Sequence, residues 1–243
     1  MKLWLKLLIG IPLALVVIAL LVLGYLGFVP GLSSLMGAST PRDLGVHYTA
    51  QDVESFHAKT GIDYTTISSD AAPKDSLKLT GSKPVNGTMT SEEMTAMVND
   101  IDSKWKYYPV SNTQIKISDD GTVEMSGILD MDVLNEYAEA TNMPESYREV
   151  INNYSGLFPT NPRFYVKTNG YIEDGNVNGD ELEVEIGRVQ IPQDVLDNNM
   201  EAIQSFVEER LLAEGVDANS ASFDGGKLTF NGSIPAEVGL SPP

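Results

Sequence analysis

Leu7 to Phe28 runs for twenty-two residues without a charge. As a helix rising about 1.5 Å per residue it would extend ~33 Å, enough to cross a hydrocarbon core of about 30 Å. Every acidic residue follows this run, from Asp43 onward. The chain therefore reads as a membrane tether followed by one acidic domain. Residues 1–28 form a cytoplasmic stub and transmembrane anchor, 29–43 a tether rich in Pro, Gly and Ser, and 44–243 an extracytoplasmic domain.

Lys2 and Lys6 precede the apolar run, and the next basic residue is Arg42. That asymmetry keeps the N-terminus in the cytoplasm and sends the C-terminal domain across the membrane, as in a single-pass signal anchor. A cleaved signal peptide is the alternative, since Gly37 and Ser39 offer small residues for a cut after Ser39. Its apolar region would be only about 7–15 residues long, shorter than the run observed. Both routes export the domain.

The chain contains no cysteine, which removes disulfides, thiolate zinc sites, a Cys nucleophile and a lipoprotein anchor together. Setting Lys2 and Lys6 aside leaves 14 basic residues against 34 acidic ones. A field of that sign repels nucleic acid and gives no general attraction to an anionic bilayer. Solubility accounts for the charge, and a high-salt habitat is the sharper alternative.

Periodicity predicts an α+β domain. Thr49, with Asp52 three residues on, opens a helix that Gly61 closes. Thr90-Ser91-Glu92-Glu93 is a second capping box, followed by an apolar stripe of Met94, Met97, Val98 and Ile101. Asp130 to Ala140 and Pro144 to Asn153 are two further helices. The longest helix runs from Pro192 to near Gly215, with Leu196, Met200, Ile203, Val207 and Leu211 on one face and Phe206 widening it.

Between the helices, Leu77 to Gly81, Val123 to Gly127 and Leu228 to Gly232 alternate with period two and end on glycine. Hairpin turns are expected at Asp119-Asp120-Gly121 and Asp224-Gly225-Gly226, and a third hairpin from Phe164 to Ile191 turns at Asp174 to Gly179. Residues 62–75 show no clear period. The expected architecture is repeated helix-plus-hairpin units on a curved antiparallel sheet with a long packed helix.

No motif points to catalysis. HExxH, GxSxG and a phosphate-binding Gly-rich loop are all missing, and His47 and His57 are the only histidines. The protein reads as a non-enzyme without a cofactor or structural metal. Asp174 to Glu185 matches the EF-hand calcium loop literally. However, Leu182, Val184 and Ile186 alternate with Glu181, Glu183 and Glu185, so Glu185 lies ~13 Å along a strand from Glu181. An Asn/Gly hairpin turn is the favoured reading; a looser calcium site on Asp174, Asn176, Asn178 and Asp180 is the alternative.

Two apolar faces remain, and each is either core or lining. Met94, Met97, Val98 and Ile101, with Leu196, Met200, Ile203, Phe206, Val207 and Leu211, are the candidate contacts for an acyl chain in a groove between sheet and long helix. The competing expectation is a filled core in an ectodomain that recognises another envelope protein through exposed strands.

Three segments carry a family likeness. One is Leu79 to Val98, a strand leading into Thr90-Ser91-Glu92-Glu93-Met94. Another is Gly187-Arg188-Val189-Gln190-Ile191-Pro192 entering the long helix. The third is Ser222 to Pro235, ending in Gly232-Ser233-Ile234-Pro235. With the N-terminal membrane helix, these resemble the YpmS-type and LmeA-type families of anchored or secreted bacterial proteins. The resemblance implies an extracytoplasmic phospholipid-binding module of tubular lipid-binding type over about residues 77–235. The chain departs from that pattern in the longer polar stretch before residue 76 and in added helices between 130 and 154, and no functional residue carries over.

Overall fold

The computed structural model describes residues 40–145, 148–149, 161–179 and 181–243. Leu7–Phe28, most of the tether and most of the expected Pro144–Asn153 helix lie outside these residues. Among the described residues no helix is long and apolar enough to cross a membrane.

The protein is a mixed α+β fold. In order it runs α1 (Ala50–Thr60), β1 (Asp63–Thr66), a 3-10 turn (Pro73–Asp75), β2 (Leu77–Thr80), β3 (Lys83–Thr90), α2 (Ser91–Lys104), β4 (Val110–Ile117) and β5 (Val123–Leu129). It continues with α3 (Leu134–Ala140), β6 (Arg163–Thr168), β7 (Tyr171–Glu173), β8 (Asn176–Asn178), β9 (Leu182–Ile186), β10 (Val189–Gln190) and α4 (Gln193–Ala213). Three strands close it: β11 (Asp217–Asp224), β12 (Lys227–Ile234) and β13 (Glu237–Leu240).

The strands form three sheets, where the period-two pattern had suggested one. Two are five-stranded and antiparallel, ordered β3-β12-β11-β7-β8 and β10-β9-β6-β5-β4. The third joins β13 in parallel to β1 and antiparallel to β2. The expected hairpin from Phe164 to Ile191 splits between the two large sheets. Its base, β6 with β9, belongs to one sheet, while its tip, β7 with β8, pairs with β11 in the other. The turn is tighter than expected: only Asp174 and Gly175 make it, both at positive φ (51° and 80°), and Asn176 already begins β8. This is the two-residue geometry that Asp-Gly favours.

Two helices connect the large sheets, and each covers a free strand edge. On α2, Ser91 Oγ, Thr95 Oγ1 and Asn99 Oδ1 accept hydrogen bonds from the amides of Ile117, Ile115 and Thr113 at 2.9, 2.9 and 3.2 Å. Four helical residues rise about 6 Å and two strand residues about 6.6 Å, so one polar helix row matches the open edge of β4. On α4, Gln204 Nε2 donates to Gly179 O at 2.8 Å, and Glu208 Oε1 accepts from Val177 N at 2.7 Å. The same four-to-two match covers the edge at β8. Covering edges in this way protects them from pairing with other chains.

The core lies between α1, α2 and the inner face of the β3-β12-β11 sheet. Phe56, Val85, Met89, Ile117, Leu228 and Phe230 are buried there, with Met94 and Met97 packed against them. Glu93 completes the α2 capping box and also receives hydrogen bonds from Ser55 and Lys59. Helix α3 is shorter than expected because the Asp130 carboxylate accepts from Asp132 N at 3.0 Å, turning the chain before the helix begins.

Candidate functional site

Helix α4 is 21 residues long, yet Leu196 is its only fully buried side chain. By contrast α2 buries Ser91, Glu93, Thr95, Ala96 and Val98 in 14 residues. The two helices bridge the same pair of sheets, but the core cluster fills the space under α2 and reaches only the wall of the hollow under α4, at Ile172, Ala221 and Phe223. Beneath α4 lies a cavity of about 570 Å³.

Each wall follows from local periodicity. The roof is Leu196, Met200, Ile203, Phe206 and Val207, brought onto one helical face by their spacing. On the floor, Val166 pairs with Val184 and Thr168 with Leu182, two adjacent cross-strand pairs of β6 and β9 pointing the same way. The third wall is Ile172 and Val177 from the β7–β8 hairpin, with Ala221 and Phe223 from β11. Because the hairpin tip leaves the sheet that holds its base, these strands diverge under the helix, and the roof residues span the gap.

The polar groups gather at one end. Gly170 N donates to Thr168 Oγ1 (3.1 Å), Glu181 N to Asn169 Oδ1 (3.1 Å), and Gln204 to Gly179 O. Glu181 is the only carboxylate, and no Lys, Arg or His lines the cavity among the described residues. At the far end of α4, Arg210 Nη2 donates to Thr141 O and to Glu214 Oε1, both at 3.1 Å, and Tyr137 donates to Glu214 at 3.4 Å. These contacts fix the C-terminal turn of the roof to α3.

Five of the candidate contacts, Leu196, Met200, Ile203, Phe206 and Val207, thus line one space. Leu211, one turn on, is half-buried and is not among the lining residues. Met94, Met97, Val98 and Ile101 sit on α2 at the filled end, so the two apolar stripes do not share a groove. Val166, Ile172, Val177, Val184, Ala221 and Phe223 escaped the reading of the sequence. Their signal was the alternation of Leu182 and Val184 with glutamates, which marks an apolar face without saying what covers it.

One titratable cluster lies elsewhere, between α1, β1 and α2. His57 Nε2 is 3.1 Å from Asp100 Oδ2, and the Tyr64 ring meets His57 edge-on at 5.1 Å. Burial and the charge of Asp100 push the Tyr64 phenol up to about 12. Among the described residues, no cluster of carboxylates and histidines is arranged to hold a metal ion. Glu185, the twelfth position of the calcium-loop match, is held by Arg163 (2.5 Å) and Arg42 (2.9 Å). Asn176 Nδ2 donates to the carbonyl of Asp174, as in an ordinary polar turn.

A scan against protein-family models, a search of curated proteins and a search of solved structures each returned no match.

Proposed function

We propose that the protein is a membrane-anchored, extracytoplasmic binding domain that takes a lipid-like apolar ligand beneath α4 and performs no catalysis. The observation that carries this reading is the hollow end of the domain. A cavity of about 570 Å³ walled by aliphatic and aromatic side chains falls within the usual range of ~300–1,000 Å³ for small-molecule sites. Val207 on the roof keeps 37% of its surface exposed, so apolar area remains for a ligand to cover. Each methylene transferred from water to such a site contributes roughly 0.8 kcal/mol. The anchor at Leu7–Phe28 would keep the domain beside a bilayer, and the YpmS-like and LmeA-like segments point to the same class of protein.

The test is uptake of a chain-labelled fluorescent lipid analogue by the purified full chain, compared with Ile203→Trp, which places an indole in the cavity. The proposal predicts a blue-shifted, saturable signal that the variant loses at least about tenfold in affinity. Equal binding by both proteins overturns it, because the apolar N-terminal run is common to the two.

A further inference from the structure

The cavity's capacity and its polar end together select a ligand class within the binding role proposed above, on which this inference rests. At about 30 Å³ per water-sized group, and a methylene is of similar size, 570 Å³ accommodates at least ~19 groups. That is room for a hydrocarbon chain of common acyl length or more.

The polar end then discriminates by charge. An anionic head needs a cation, and no Lys, Arg or His lines the site among the described residues. The amides of Gly170, Val177 and Glu181 are already bonded to Thr168, Glu208 and Asn169. The carboxyl of Glu181 on the lining, and that of Glu208 on the Val177 amide, repel a further negative charge, and the chain as a whole carries −18. Desolvating an unpartnered carboxylate or phosphate there would be costly. An uncharged hydroxyl or ester loses far less, and a hydroxyl can also donate to an acceptor at the rim such as Glu181.

We infer that the site selects amphiphiles with an uncharged polar end, of the long-chain alcohol or monoacylglycerol kind, over free fatty acids and phospholipids, whose heads carry charge. The experiment uses three probes carrying a diazirine near the chain terminus: hexadecanol, hexadecanoic acid and a dihexadecanoyl phosphatidylcholine. The full chain is irradiated with each at pH 8 and digested. Labelling of the Met200–Val207 and Leu182–Val184 peptides is scaled to labelling of the Leu7–Phe28 peptide, which reports total probe.

The alcohol should label the cavity peptides at least about tenfold more than either other probe, and both Ile203→Trp and Ala221→Ile should reduce that excess. Equal labelling by the acid or the two-chain lipid, removed by the variants, overturns this selectivity while leaving the binding role standing. Labelling by all three probes that no variant changes, or none at these peptides, overturns the binding role itself.

Discussion

Replacing Ala221 with Ile adds three carbons to a side chain that is 6% exposed and borders the cavity. Ala221 sits on β11 between Phe230 and Ile172, so the strand stays in register and a β-branched residue suits its backbone. If the space under α4 is open, the added groups leave water without displacing neighbours. Three methylene equivalents at about 0.8 kcal/mol give ~2.4 kcal/mol, and fixing the Ile side chain returns roughly 0.5–1 kcal/mol of that. The net expectation is about 1.5–2 kcal/mol of added stability. For a domain of this size that is ~3–8 °C in Tm. Urea unfolding of the full chain in a mild detergent measures it as a rise in midpoint at constant slope. A filled interior gives the opposite sign, since overpacking costs about 1–3 kcal/mol. A loss of that size with the slope unchanged would refute the cavity and everything built on it.

Thr95→Val, nearly the same shape, strips both hydrogen bonds from the buried Ile115 amide and carbonyl, and urea unfolding should show a loss of about 2–4 kcal/mol. Glu208→Ala frees the Val177 amide, so hydrogen exchange across Gln193–Ala213 should speed up while α2 keeps its protection. Burial raises the Glu93 carboxyl, but hydrogen bonds from Lys59, Ser55 and the Thr90 amide win and hold it below its ordinary 4.5. Its contribution is thus complete above that value and lost as pH falls through the depressed folded value. Glu93→Gln should flatten this acid limb of the stability profile. Protease applied to intact cells should remove residues 44–243 if they lie outside the cytoplasm; full protection would contradict the anchored orientation.

Local signals in the sequence located α1, α2 and α4 well, while α3 came out shorter than expected. The capping boxes at Thr49–Asp52 and Thr90–Glu93 both close as expected, and Gly61 terminates α1 at φ 63°. The limits of α4 follow from Pro192 and the apolar spacing behind it. Two of the strand glycines have a physical reason: a Cβ at Gly127 would meet the Phe164 ring at 2.8 Å, and one at Gly232 would meet Asp217 O at 2.3 Å.

The illegible part is whatever depends on distant partners. Strand β1 is four residues of mixed polarity whose pairing mate, β13, lies about 170 residues away. Strand β3 begins Lys83-Pro84, which suggests a break, but β3 is an edge strand where Pro is tolerated. The switch of one hairpin between two sheets leaves no periodic mark, and that switch opens the cavity. Hence the apolar roof was visible in advance, whereas its floor was not. The polar row Ser91, Thr95 and Asn99 was readable as a spacing of four, but only an adjoining strand edge gives it meaning.

The most direct test is crystallographic: the full chain soaked with a long-chain alcohol brominated at its terminal carbon, with anomalous scattering locating the bromine. The account predicts a single peak between Ile203 on the roof and Val184 on the floor, with the hydroxyl toward Thr168 and Gln204. Side chains closed over that space, or bromine found only along the Leu7–Phe28 surface, would contradict it.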